Sequence, residues 1–199
     1  MPKITTAIAP RVHEIIRDRV AYIIADEYGY QTNITYDLPQ MPVYTHRYKP
    51  VMPDELPIAV VTNSTGNFDN QTVIKSDGTF TISIDVYQNG VSSDDQGGDE
   101  VASIAAHRIA GVVMGILEDP IYKILDFDPG FIMSSHVTSF ESGEIDRQDS
   151  TSINAVRITL TVKAVQSEKT QNAIPIAGND TTVMMGESEK GYFYQFNSI

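Results

Sequence analysis

The sequence predicts an α+β fold, a two-layer sandwich in which a mostly antiparallel sheet of about four to five strands carries two helices on one face. Three observations lead there. Apolar residues recur at helical intervals over 8–28 and 99–117, apolar and polar residues alternate over 80–87 and 152–165, and helical and alternating stretches are interleaved along the chain.

The first helix rests on Ile8, Val12, Ile15, Ile16, Val20, Ile23, Ile24 and Tyr28, with Arg11, Glu14, Asp18 and Asp26 on other faces. Thr5 or Thr6 can cap it, Pro10 is tolerated in a first turn, and Gly29 is the expected stop. Over 30–56 the pattern lapses into Pro39, Pro42, Pro50 and Pro53 with scattered tyrosines. This predicts a long extended connection with a short strand around 43–47. The apolar run 57–63 predicts a strand and 71–75 a second. Ser76-Asp77-Gly78-Thr79 offers the Asp-Gly pair of a tight hairpin turn, after which Phe80, Ile82, Ile84 and Val86 alternate with polar neighbours. Residues 88–98, QNGVSSDDQGG, form an acidic loop leading to the second helix.

That helix, DEVASIAAHRIAGVVMGIL at 99–117, is the element around which the chain is organised. Val101, Ile104, Ala105, Ile109, Val112, Val113, Ile116 and Leu117 give it a broad apolar face, and its small residues allow close approach to a sheet. Asp99 and Glu100 suit the positive end of the helix dipole. With His107 and Arg108 inside it, the helix is expected to be too short and too interrupted to span a bilayer. Residues 121–127 read equally as a helical turn or an irregular edge. The strands predicted at 130–142 and 152–165 pair antiparallel through a charged link at 143–150. From 166 onward the pattern has little periodicity and ends in aromatics, which divides the chain into a domain at 1–165 and an extension at 166–199.

Composition narrows the function. The chain has 199 residues, no cysteine and a formal net charge of -12. Thiolate metal sites and disulfides are excluded, and free nucleic acid is a poor partner for so acidic a surface. A channel through which DNA must slide, by contrast, favours like charge. No signal-peptide pattern or membrane anchor is evident, so synthesis in the cytoplasm is expected. His107 with Arg108 reads as a structural helix flank. Ser135 and His136 are adjacent in a predicted strand, so their side chains point to opposite faces and cannot form a nucleophile–base pair. The loop ESGEIDRQD at 141–149 lacks the calcium-loop spacing, and no zinc-protease, phosphate-loop or dinucleotide motif occurs. No catalytic residue, metal or cofactor is therefore expected.

With the N-terminal helix PRVHEIIRDRVAYII, a strand pair ending in FTISIDVYQNG, the helix DEVASIAAHRIAGVVMGIL and a closing hairpin, residues 1–165 resemble the tail terminator (tail completion or neck) proteins of long-tailed bacteriophages. The resemblance implies a homo-hexameric ring in the virion neck, assembled in the host cytoplasm. Such a ring caps the tail tube, stops its elongation and docks the filled head, without covalent chemistry. Its partners would be further copies, tail-tube and sheath proteins, and head-completion or connector proteins, with DNA passing unbound and no membrane involved. Asp94, Asp95, Asp99, Glu100, Glu141, Glu144, Asp146 and Asp149 cluster in two loops that would face the lumen. Arg147 would pair with an acidic loop of the next subunit, and Met184, Met185, Tyr192, Phe193, Tyr194 and Phe196 would contact a subunit or partner. Two other readings stand beside this one. One is a different neck, sheath-linked or baseplate component; the other is a regulatory α+β module enclosing a small molecule.

Overall fold

Two long antiparallel hairpins supply most of the sheet. A computed structural model describes residues 11–34, 37–47, 51–71, 75–92, 95–145, 152–167, 184–188 and 191–195. The chain divides into two compact units, Ala9–Glu168 and a smaller one made of Met1–Ile8 with Lys169–Ile199.

In the larger unit the order is α1 (Val12–Ile34), β1 (Val43–Thr45), β2 (Ile58–Gln71), β3 (Lys75–Gly90), α2 (Gly98–Glu118), β4 (Ile132–Ile145) and β5 (Ser152–Ser167). The sheet order is β1-β2-β3-β5-β4. Only the β1–β2 pairing is parallel; β2–β3, β3–β5 and β4–β5 are antiparallel. Both helices contribute to one core. Ile16, Val20 and Ile24 of α1 and Ile109, Val113 and Leu117 of α2 share it with Val61, Ile82, Ile84, Ile158 and Leu160, which lie in matched register on one side of the sheet. The expected arrangement, two helices on one face of a mostly antiparallel sheet, is the one observed. Each fully buried aliphatic side chain there contributes roughly 1.5–3 kcal/mol.

Four local readings are corrected. The helix α1 does not stop at Gly29 but runs to Ile34, because Thr32 Oγ1 (2.8 Å) and Asn33 Nδ2 (3.0 Å) donate to the Gly29 carbonyl and hold the last turn. Its expected caps at Thr5 and Thr6 lie outside the described residues, as does Ile8, and Ile15 is exposed. Asp77-Gly78 is not a turn: β3 passes straight through it, with Asp77 paired to Asn70 and Gly78 to Phe68. Gly78 is needed for space, since a Cβ there would lie 2.7 Å from the Phe80 ring. Finally, β4 runs to Ile145, so Glu144 belongs to a strand rather than to the expected link at 143–150, and Glu141 to the same strand rather than to an acidic loop at 141–149.

By length and composition α2 is apolar enough to cross a membrane, contrary to the sequence expectation. It serves instead as the core helix. Ala102, Ala106 and Ala110 are fully buried, and their small side chains let α2 lie close against β3 and β5. After α2, residues 120–126 form a 3-10 turn and a tight bend in which Asp119 accepts the Ile121 N–H at 2.9 Å. Leu125 adopts a left-handed φ of 52° and is fully buried beneath it.

The smaller unit shows a hairpin of β6 (Met184–Ser188) and β7 (Gly191–Gln195), in which Met185 pairs with Tyr194 and Glu187 with Tyr192. A stretch read as having little periodicity thus contains two paired strands. Strands of five residues are too short for alternation to stand out in the sequence.

Candidate functional site

With both helices on one side, the other side of the sheet lacks a helical layer among the described residues. The register fills it with hydroxyls. One row across the strands is Thr62, Ser83, Thr159 and Ser139, and the next is Thr65, Thr81, Thr161 and His136. Ser64 and Ser83 hydrogen-bond through their hydroxyls, while Thr138 Oγ1 donates to the Thr159 carbonyl at 3.2 Å. β-Branched residues such as threonine suit an extended surface that is partly wet.

One ion pair marks this face. Asp85, 8% exposed, sits opposite Arg157 in the register and receives both Nε (2.7 Å) and Nη2 (3.0 Å) of the guanidinium. The bidentate bond fastens β3 to β5 and raises the pKa of Arg157. Burial, reinforced by the Asp85 carboxylate, raises that of neighbouring Tyr87. Glu141 stands next to Arg157 in the same row, and these groups line an open depression of about 310 Å³. Arg157 is already committed to Asp85, and with Glu141 beside them the row carries one net negative charge. On the helix side, the Tyr122 hydroxyl donates to Glu27 Oε2 at 2.9 Å, and the accepting carboxylate pushes the Tyr122 pKa up to about 12.

The sheet also has two unlike edges. At one, β1 accompanies β2 only over 59–61, so no described strand lies on the outer side of 62–71, whose inner side pairs with β3. At the other lies the whole outer edge of β4. Part of that edge is closed by α2: the Val137 N–H donates to Glu118 Oε1 at 2.6 Å, and Lys123 Nζ binds the same carboxylate. Lys123 first and the Val137 amide second hold the Glu118 pKa below its ordinary value of 4.5. Since the folded-state pKa is depressed, this bond stabilises the fold above the unfolded-state value and is lost as pH falls through the folded one. In Glu118→Gln, melting temperature is therefore expected to vary less between pH 5 and pH 3 than in the parent chain; equal pH profiles would contradict the contact.

The sequence-derived residues fall unevenly. Asp95, Asp99 and Glu100 are exposed at the start of α2, and Glu141 is exposed on β4. The register pairs Gly90 with Ser152 and Ile145 with Ile153, so β3, β4 and β5 all turn at the end of the sheet where α2 begins. The two acidic segments thus leave one end of the sheet, although half of what was read as the second loop is strand. Asp94, Asp146, Arg147, Asp149 and Phe196 lie outside the described residues. Met184, Met185, Tyr192, Phe193 and Tyr194 lie on the β6–β7 hairpin. His107 is exposed and edge-on to Phe140, with ring centroids 6.2 Å apart. Ser135 is buried and donates to the Lys123 carbonyl at 2.8 Å, while His136 is exposed. Among the described residues, no group of three or more His, Asp or Glu side chains is placed to hold a metal ion. Sequence reasoning missed the Asp85–Arg157 pair and the free edges, because neither can be read before strand order is known.

No protein-family model matches the chain, and no curated protein does. Among solved structures it is similar to a chain from the virion of a native gene transfer agent particle, at 11% sequence identity and a TM-score of 0.41, over 62% of this chain and 78% of that one.

Proposed function

We propose that the chain is a structural assembly protein of a phage-like virion, a tail-terminator subunit that forms a ring, caps the tail tube and presents the surface to which the head docks. One observation carries the reading. Among the described residues the five-stranded sheet of the larger unit carries helices on one side and ends in two different, partly open edges, as suits a subunit that repeats itself side by side. The resemblance of 1–165 to tail terminators in element order and texture supports it. So does the acidic end of the sheet, since in such a ring carboxylates around the lumen keep DNA mobile. The hydroxyl face, with its one ion pair internally neutralised, offers phosphates little attraction.

The function is tested by adding the purified chain to polymerising tail-tube subunits. Tubes should stop lengthening at sub-stoichiometric amounts of the chain; tubes that grow unaffected would contradict the role. Truncation separates fold from assembly. Because β5 extends to Ser167, the cut belongs after Glu168. Deleting 169–199 is expected to leave the melting temperature of the larger unit within a few degrees while weakening assembly. An unfolded truncated chain would mean that the extension belongs to the core.

A further inference from the structure

We infer that the free half of β2 receives the outer edge of β4 from a second copy of this chain, with Phe140 as the inserted side chain. The inference rests on the ring reading above and names its interface. Strand direction comes first. Since β2–β3, β3–β5 and β5–β4 are all antiparallel, β2 and β4 run in opposite directions. A second copy laid alongside in the same orientation therefore brings its β4 antiparallel to β2, and the alternation continues unbroken.

Each edge then supplies what the other lacks. Beside residues 62–71 of β2 is a depression of about 260 Å³ lined by His13, Asn63, Thr65, Gly66, Phe68 and Phe80. Its aromatic wall is partly open, with Phe68 47% exposed, and Asn63 Oδ1 is a buried acceptor without a partner among the described residues. A buried carbonyl oxygen left without a donor is costly, and an incoming strand amide satisfies it. On β4 the amide of Val137 is taken by Glu118, whereas 139–145, paired to β5 on its inner side, has no described strand on its outer side. Within that segment Phe140 is 54% exposed, touched at its edge by His107.

This is strand addition with a side-chain anchor, in which main-chain bonds give affinity and the pocket gives register. Because the free part of β2 and the free part of β4 lie toward opposite ends of the sheet, each copy is displaced along the strands relative to the last. The contact is heterologous, and it closes into a ring where the strands are inclined to the ring axis so that rotation takes up this displacement.

The absence of cysteine makes the test direct. Phe68→Cys and Phe140→Cys each introduce a single thiol at a half-exposed position, and a short bismaleimide reports which edges meet. The double variant should give a ladder of covalent multimers, an equimolar mixture of the single variants should stop at dimer, and each single variant alone should stay monomeric. Circular dichroism checks folding, and His13→Cys, on the same depression, replaces Phe68→Cys if the latter destabilises the chain. Dimers from Phe140→Cys or Phe68→Cys alone would overturn the interface in favour of a like-to-like contact. Rings without a ladder would overturn it while leaving the ring reading intact. A parent chain that stays monomeric both alone and on tail tubes would remove the ring reading and this interface with it.

Discussion

Replacing Phe80 with alanine is expected to lower stability by about 4 kcal/mol, the upper range for deleting a buried aromatic ring. The ring is 1% exposed and is flanked by two glycines. On one side is Gly66, its partner across the β2–β3 ladder, where a Cβ would lie 3.2 Å from the ring. On the other is Gly78, where a Cβ would lie 2.7 Å away. Phe68 meets the ring edge-on at a centroid distance of 5.8 Å, and His13 stacks at 6.3 Å. With glycines flanking it, little side-chain volume is at hand to fill the void, and most of the cavity term persists. Urea unfolding measures the loss, and Phe80→Leu should recover part of it. A loss below about 1 kcal/mol would show that the hairpin does not depend on this ring.

A methyl group at Gly90 should cost about 3 kcal/mol, at the upper end of the overpacking range. A Cβ there would sit 2.1 Å from the Gly98 carbonyl oxygen and 2.5 Å from the Ala102 nitrogen. Both are backbone atoms in the first turn of α2, so no side-chain rotation relieves the clash. The end of β3 and the start of α2 must move apart, disturbing the junction at which the acidic segments leave the sheet. Gly90→Ala is expected to lower the melting temperature by roughly 6–12 °C. Gly111→Ala is the control. Gly111 is exposed on α2 with nothing within 4 Å of a new Cβ, so the change should raise stability by up to about 1 kcal/mol. Equal effects at the two glycines would contradict the β3–α2 packing.

These sites show what was legible in the sequence. Long elements with strong periodicity were: α2 was expected at 99–117 and spans Gly98–Glu118, and β5 was expected at 152–165 and spans Ser152–Ser167. Their burial pattern follows directly from side-chain spacing, which is a local property. Gly78 was misread because an Asp-Gly pair signals a turn through its tolerance of positive φ, whereas this glycine is selected by the size of Phe80 beside it. Gly29 was misread for a related reason, since the helix continues there on side-chain bonds from Thr32 and Asn33. The parallel pairing of β1, the Asp85–Arg157 bond and the edges left free at β2 and β4 all depend on strand order. Strand order arises from contacts far apart in the chain, and no local pattern encodes it. The candidate site divides likewise. Its acidic segments were visible as composition, while the surface that would join one copy to the next became visible only with the sheet.

The central claim, that this chain works as one subunit of a ring, is tested most directly by electron microscopy of the purified protein, alone and mixed with tail tubes. The account predicts closed rings of uniform diameter, free or seated on tube ends. A population that remains monomeric or dimeric in both samples and leaves tube ends bare would contradict it, all the more if its melting temperature rose with a small metabolite.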